Sequence, residues 1–150
     1  MTSTVDGNKR IFISDIHMGD KRSTESPPDL HPYGWLQKNI PKLTRFLSDQ
    51  LQAKDLGELV ILGDLFDQWV IPTDLDPLAG IDNICKNPSN KGIIGKLKAL
   101  AKRSKLVYVP GNHDMSACRK DIPIMKDFMT VLPTTVWTIG RLCAALHVET

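Results

Sequence analysis

The sequence predicts an α/β domain built on a mostly parallel β-sheet. Three segments with the composition of buried strands, 9–15, 58–64 and 105–112, alternate along the chain with segments of helical periodicity. Strands that alternate with helices in this way return to the sheet side by side through right-handed crossovers. The chain has 150 residues, of which 41% are hydrophobic, and we expect a single domain over 1–150.

The first predicted helix follows the first strand and a proline-rich connection. Its apolar side chains recur at spacings of three and four residues, which is the period of a helix face. Asn39 is a candidate N-cap, and Pro41 then falls in the first turn, where proline is tolerated. The apolar stripe consists of Leu36, Ile40, Leu43, Leu47 and Leu51.

The second predicted helix spans 92–104 and precedes the third strand. The segment from about 64 to 90 is rich in Pro, Asp and Asn, a composition that favours a loop. After the third strand, a weaker apolar period predicts a helix over 124–132, and two short strands are expected within 134–148.

The composition excludes several kinds of protein. The net charge of +2 points to no strongly charged partner, and no apolar run is long enough to span a membrane. The N-terminus lacks the basic start and apolar stretch of a secretory signal, so a cytoplasmic location is expected. The cysteines Cys85, Cys118 and Cys143 form no CxxC pair, which favours reduced thiols over a zinc site.

Polar side chains follow each of the three predicted strands, where ligands bind in parallel α/β sheets. Asp15 and His17 come after the first strand, and in an extended segment residues two apart share a face. A carboxylate and an imidazole on one face form half of a mixed oxygen and nitrogen site for a transition metal. The alternative is that Asp15 caps a turn beside a surface histidine.

The second strand ends in Gly63, Asp64 and, three residues on, Asp67. If the first two strands are neighbours, Asp64 lies beside Asp15, and its two oxygens can bridge two cations. Asp67 can orient a metal ligand through a hydrogen bond. Alternatively, Asp64 is a helix N-cap and Asp67 an acid in the first helical turn.

The third strand ends in Gly111, Asn112, His113 and Asp114. Asn112 offers a carbonyl oxygen to a metal, and His113 can donate a proton. Asp114 can fix His113 in one tautomer. The alternative is a Gly-Asn turn with solvated neighbours. A pair of metals about 3.5 to 4 Å apart accounts for all three strand ends at once, since such sites need several converging ligands.

These three motifs, in this order on successive strands, resemble the calcineurin-like metallophosphoesterase superfamily. The resemblance implies a two-sheet α/β sandwich that is incomplete at the C-terminus, because the family's Gly-His-x-His element does not occur before Thr150. The stretch 63–69, "GDLFDQW", is similar to the subgroup that cleaves UDP-diacylglucosamine, which usually has Arg at the position of His113. The metal ligands implied by the resemblance are Asp15, His17, Asp64, Asn112 and His147.

The resemblance also implies roles and a reaction. His113 protonates the leaving group with Asp114 behind it, and Asp67 supports the ligands. The expected cofactors are two divalent metal ions (manganese, iron or zinc), and the expected reaction is hydrolysis of a phosphoric mono- or diester or a pyrophosphate. The alternative is a non-catalytic binding module with an incomplete site. A nucleic-acid partner is not indicated, because the lysine-rich helix predicted over 92–104 carries no interleaved aromatic residues.

Overall fold

Among the residues that the structure describes, four parallel strands form one sheet, in which the spatial order of the strands follows their order in the chain. The computed structural model describes residues 7–21, 36, 39–69, 77–114 and 130–131. The strands are β1 (Lys9–Ile13), β2 (Leu56–Leu62), β3 (Lys105–Val109) and the two-residue β4 (Thr130–Val131). The helices are α1 (Ile40–Gln52), α2 (Pro77–Lys86) and α3 (Pro88–Ala101).

The predicted α/β class and parallel sheet are confirmed, and the first three strands lie where they are expected. Each strand ends one or more residues before its acidic motif, so the motifs stand on loops beyond the sheet. The central strands alternate between two buried faces, since Ile61 packs into the main core while its neighbour Val60 is buried on the other face. A near-continuous apolar run is typical of a parallel strand covered on both sides.

The helices differ from expectation in two places. The predicted loop contains α2, whose first residue is Pro77, a position at which proline does not break a helix. Its apolar residues Ile81, Ile84 and Cys85 recur at helical spacing and are buried. The helix predicted over 124–132 is wrong at its end, because Thr130 and Val131 pair with β3 as a strand, in keeping with their β-branched side chains.

An asparagine stands before each of the other two helices, but only one of them caps its helix through the side chain. Asn87 precedes α3, which begins four residues earlier than predicted, and its side chain accepts a hydrogen bond from the Ser89 N–H at 3.1 Å. Asn39 occupies the N-cap position of α1 but makes no side-chain cap, while proline stands in the first turn as expected.

The core lies between one face of the sheet and the helices. Helices α1 and α3 pack against each other, as crossovers of one hand in a sequentially ordered sheet require. Burial raises the pKa of the Cys85 thiol to about 12, so this cysteine stays protonated, as expected of a reduced thiol. The fully buried side chains of this core include Leu47, Leu56, Leu59, Ile61, Ile81, Ile84, Ile93, Leu97 and Tyr108.

An ionic row crosses the amino end of the sheet. Glu58 on β2 lies in register with Arg10 on β1 and with Lys105 on β3, and it pairs with both side chains. In the part of the chain that the structure describes, no helix is long and apolar enough to cross a membrane.

Candidate metal centre

The loops beyond β1 and β2 contain three non-glycine residues with positive φ. These are Asp15 (φ 55°), His17 (φ 51°) and Asp64 (φ 50°), each of them a predicted metal ligand. The left-handed conformation costs an L-residue roughly 1–2 kcal/mol, and such strain concentrates at functional sites. The extended geometry expected for Asp15 and His17 is therefore wrong, although the two side chains still converge.

Hydrogen bonds hold these two loops together beyond the end of the sheet. The His17 N–H donates to the Asp64 carbonyl at 2.8 Å, and the Met18 N–H donates to the Leu65 carbonyl at 3.0 Å. The Asp67 N–H then donates back to the Met18 carbonyl at 2.9 Å. The ladder between β1 and β2 thus resumes after the left-handed residues, which fixes the loops to one another.

Asp15, His17 and Asp64 form a cluster whose ligand atoms all lie within 4.8 Å of one another. The Nε2 atom of His17 is 3.9 Å from Asp15 Oδ1 and 3.9 Å from Asp64 Oδ2. These separations are too long for direct hydrogen bonds. They are shorter than twice the metal–ligand bond length of about 2.1 Å. One divalent ion therefore fits between these atoms, and the mixed donor set suits a transition metal.

The buried carboxylate of Asp67 lies between two histidines. Its Oδ2 is 3.2 Å from His17 Nδ1, and its Oδ1 is 3.0 Å from His113 Nδ1. Because an ionised carboxylate only accepts hydrogen bonds, the Nδ1 of each ring is the donor. The Nε2 of His17 is then the nitrogen that faces Asp15 and Asp64, as a metal ligand requires.

His113 is held by contacts from several directions. Its backbone N–H donates to Asp64 Oδ1 at 3.0 Å, and its carbonyl accepts from the Gln68 N–H at 3.1 Å. The indole of Trp69 stacks on the imidazole with ring centroids 3.9 Å apart and an interplanar angle of 18°. The ring of His17 meets that of His113 edge to face, with centroids 4.6 Å apart.

Asp114 does not orient His113, and this part of the prediction is wrong. Its buried carboxylate accepts hydrogen bonds from the Tyr108 hydroxyl, from the Phe66 N–H at 3.1 Å and from the Gly111 N–H at 2.6 Å. Asp114 thus joins its own loop to Tyr108 on β3, whereas the carboxylate in contact with the imidazole of His113 is that of Asp67. Burial raises the pKa of the Asp114 carboxyl, although these hydrogen bonds oppose the rise.

Two glycines allow the second and third loops to approach each other. Gly63 has φ +78°, and its N–H donates to the Val109 carbonyl at 2.7 Å. A Cβ on Gly111 would come within 2.8 Å of Asp64 Cγ and within 2.7 Å of Asp64 N. Only glycine fits at Gly111 without displacing the Asp64 carboxylate.

Comparison with known proteins decides the family. The sequence profile of the calcineurin-like phosphoesterases matches residues 9–141, which is most of the chain. The chain belongs to the calcineurin-like phosphoesterase family. This family hydrolyses phosphoesters with the help of metal ions.

The other comparisons add less. The crystal structure of the Pseudomonas putida nuclease MPE aligns at 21% identity and a TM-score of 0.42, over 83% of this chain and 46% of that chain. This chain therefore spans under half the length of that nuclease. No curated protein sequence matches this chain. The similarity to enzymes that cleave UDP-diacylglucosamine stays a prediction.

The remaining predicted ligands differ in what the structure says of them. Asn112 is exposed in the loop between Gly111 and His113. His147 lies outside the described residues, as do Cys118, Cys143 and the short strands predicted within 134–148. Among the described residues, the structure brings together Asp15, His17, Asp64, Asp67 and His113.

A pair of buried amides supports the candidate site and is not predicted from the sequence. Asn87 and Asn90, at the junction of α2 and α3, both donate from Nδ2 to the carbonyl of Gly19, at 3.1 Å and 2.8 Å. Asn90 also donates to the Ile84 carbonyl at 2.9 Å. Gly19 is two residues past His17, so these amides anchor the loop that carries the first two ligands. Gly19 lies about 70 residues from both asparagines in the chain, so no local sequence pattern predicts these contacts.

Proposed function

We propose that this chain is a metal-dependent phosphoesterase that hydrolyses a phosphoric mono- or diester, or a pyrophosphate, at a site for two metal ions. The observation that carries the proposal is the cluster of Asp15, His17 and Asp64, whose His17 Nε2 faces both carboxylates at 3.9 Å. Membership of the calcineurin-like phosphoesterase family supports the reaction class.

The ligands divide between two ions in this proposal. Asp15, His17 and Asp64 hold the first ion, and Asp64 and Asn112 hold the second. His147 is proposed as a further ligand on sequence grounds alone. Asp64 is suited to the shared position because it lies between the loop of His17 and the loop of His113, with contacts to both.

The protein's own groups prepare the leaving-group side of the reaction. Divalent cations supply, when bound, positive charge that stabilises the phosphoryl transition state and lowers the pKa of an attacking water. Asp67 accepts the Nδ1–H of His113, and its negative charge favours the doubly protonated ring, whose Nε2 then holds a proton for the leaving oxygen. The phosphorus–oxygen bond to the leaving group breaks as that oxygen takes the Nε2 proton, while the oxygen of water bonds to phosphorus. The attacking water releases one proton to solvent, and His113 regains a proton from solvent after the product leaves.

The proposal is tested with the purified chain, a panel of Mn²⁺, Fe²⁺ and Zn²⁺, and three substrates: a monoester, a diester and a pyrophosphate. We expect Asp64→Asn to lose metal by elemental analysis, because an amide cannot bridge two cations. We expect His113→Ala to keep its metal and to lose turnover by about 10²- to 10⁴-fold.

Two results would count against the proposal in different ways. Metal binding without hydrolysis of any of the three substrates supports a non-catalytic binding module instead. Full metal content and near-normal turnover in Asp64→Asn would remove the proposed dinuclear site itself.

A further inference from the structure

Trp69 stands apart from the other large apolar side chains that the structure describes. It is 65% exposed, whereas the remaining large apolar side chains of the described residues are buried or partly buried. Leaving an indole in water forgoes the stabilisation that burial of its apolar surface would give. Single exposed apolar side chains are ordinary on protein surfaces, so what distinguishes Trp69 is that its indole stacks on His113.

The position of Trp69 is fixed by the site itself. Its N–H donates to Asp67 Oδ1 at 3.2 Å, and the same oxygen is 3.0 Å from His113 Nδ1. The neighbouring Gln68 N–H donates to the His113 carbonyl. The indole is therefore attached to the turn that holds His113, and the hydrogen bonds of the Gln68 and Trp69 N–H groups fix the backbone that carries it.

The stacking geometry places a flat surface on the leaving-group side. One face of the indole covers the imidazole at 3.9 Å and 18°, so its other face runs nearly parallel to the His113 ring and accounts for the exposure. His113 Nε2 lies across the ring from the Asp67 contact and is the nitrogen that reaches the leaving oxygen. A leaving group bonded to that oxygen thus passes close to the indole.

We propose that Trp69 is a specificity-determining residue that stacks on an aromatic ring carried by the leaving group, as in a nucleoside or an aryl-substituted alcohol. This inference rests on the proposed phosphoesterase function and the proposed role of His113. A flat aromatic ring can stack on the indole face, as nucleic-acid bases stack on aromatic side chains. An aliphatic chain gains binding energy only from the apolar area in contact with the indole.

Substrate pairs that differ in the ring alone test this inference. Adenosine 5′-phosphate is compared with ribose 5-phosphate, and benzyl phosphate with cyclohexylmethyl phosphate, each as the monoester and as its methyl diester. Within a pair the leaving oxygen is a primary alkoxide, so intrinsic reactivity is nearly matched. The two pairs distinguish a nucleoside from an aryl alcohol as the source of the ring.

The readout is the ratio of kcat/KM within a pair, measured for the Mn²⁺-loaded full chain. We expect the ring-bearing substrate to be preferred by about 5- to 100-fold in at least one pair, the range that stacking on an aromatic side chain gives. Trp69→Phe keeps part of the preference. Trp69→Ala and Trp69→Leu bring the ratio close to one, although leucine preserves apolar bulk.

The outcomes separate this inference from the proposed function. Hydrolysis of both members of every pair with equal kcat/KM overturns the aromatic contact and leaves the phosphoesterase proposal intact. A preference that survives in Trp69→Leu overturns stacking in favour of general apolar contact. If nothing is hydrolysed, calorimetric binding of adenosine 5′-phosphate against ribose 5-phosphate decides: a preference lost in Trp69→Ala supports the contact without the reaction, and equal binding overturns it.

Discussion

At the scale of single residues, Asp67 gives one carboxylate to two imidazoles. Each of its oxygens lies within hydrogen-bonding distance of the Nδ1 of a different histidine, so each ring donates from Nδ1 and turns its Nε2 away from Asp67. His17 then directs Nε2 to Asp15 and Asp64, and His113 directs its own Nε2 away from Asp67. One buried side chain therefore couples the proposed metal ligand to the proposed proton donor.

We expect Gly111→Ala to reduce metal binding sharply, because its Cβ would press on the Asp64 carboxylate and backbone. The matched control is Gly95→Ala in α3, where an added Cβ has no atom within 4 Å. That change should stabilise the protein by about 0.5–1 kcal/mol, since alanine is the better helix former. Metal affinity and thermal unfolding of both variants measure the difference, and wild-type affinity in Gly111→Ala would contradict the close approach.

The sequence predicts which residues of the site lie near one another better than it predicts which of their atoms are in contact. Asp15, Asp64 and His113 could be expected to meet because parallel strands direct their carboxyl ends to one edge of the sheet. The choice of Asp67 over Asp114 as the partner of His113 could not be predicted, since it depends on which way adjacent side chains leave one turn. The left-handed backbone of Asp15 and His17 was equally hidden, because both residue types also occur in extended segments.

At the scale of elements, the α2–α3 junction supports the loop after β1. Asn87 starts α3 and, with Asn90, donates to the Gly19 carbonyl. Both asparagines are almost fully buried, and losing either removes one of the two hydrogen bonds that they donate to the Gly19 carbonyl. The α2–α3 junction thus positions both the start of α3 and the loop that carries the candidate ligands Asp15 and His17.

We expect Asn90→Ala to lower both stability and metal affinity. Removing its side chain deletes two buried hydrogen bonds, to the Gly19 and Ile84 carbonyls. Each carbonyl keeps a donor from Asn87, so each lost bond should cost about 0.5–1.5 kcal/mol. The matched control is Ser104→Ala, which removes the hydrogen bond from Ser104 Oγ to the Leu56 carbonyl at 2.8 Å. That bond lies at the other end of the sheet, so its loss should lower the melting temperature alone.

Melting temperatures and metal titrations of the folded variants distinguish the two cases. A positioning role for Asn90 requires its metal affinity to fall further than that of Ser104→Ala at comparable loss of stability. Unchanged metal affinity in Asn90→Ala would show that the amide supports the helices and not the loop.

The elements themselves were predictable where the signal was local. An apolar run such as 59–62 identifies a buried strand by its own composition. Helix α2 was missed because the proline and aspartate content around it outweighed the short stripe of Ile81, Ile84 and Cys85. Strand β4 was missed because two residues carry no period, and only pairing with β3 makes them a strand.

At the scale of the whole molecule, the two ends of the sheet differ in character. The carboxyl ends carry the strained loops and the candidate metal ligands, while the amino ends carry the ionic row of Arg10, Glu58 and Lys105. Burial acts to raise the pKa of Glu58, but the hydrogen bonds and charges of Lys105 and Arg10 outweigh it and hold that pKa below its ordinary value.

We expect Glu58→Gln to destabilise the protein at neutral pH and not in strong acid. Because the folded pKa of Glu58 is lowered, its ionised form stabilises the fold above the ordinary pKa, and that contribution is lost as the pH falls through the folded pKa. The melting temperatures of wild type and Glu58→Gln should therefore converge toward low pH. The control is Asp82→Asn, which breaks an exposed pair with Lys86 and should change the melting temperature little. A difference that grew in acid would refute the assignment.

The joined loops also determine when the site can form. His17 and Asp67 are 50 residues apart, Asp64 and His113 are 49 apart, and Asp67 and His113 are 46 apart. Contacts of such separation appear only after long stretches of chain have been closed, which is slow compared with helix formation. The site therefore matures late in folding, once all three strands are aligned. In a nascent or partly folded chain the side chains of the site are far apart. Metal binding should therefore follow the alignment of the sheet and should not direct its assembly.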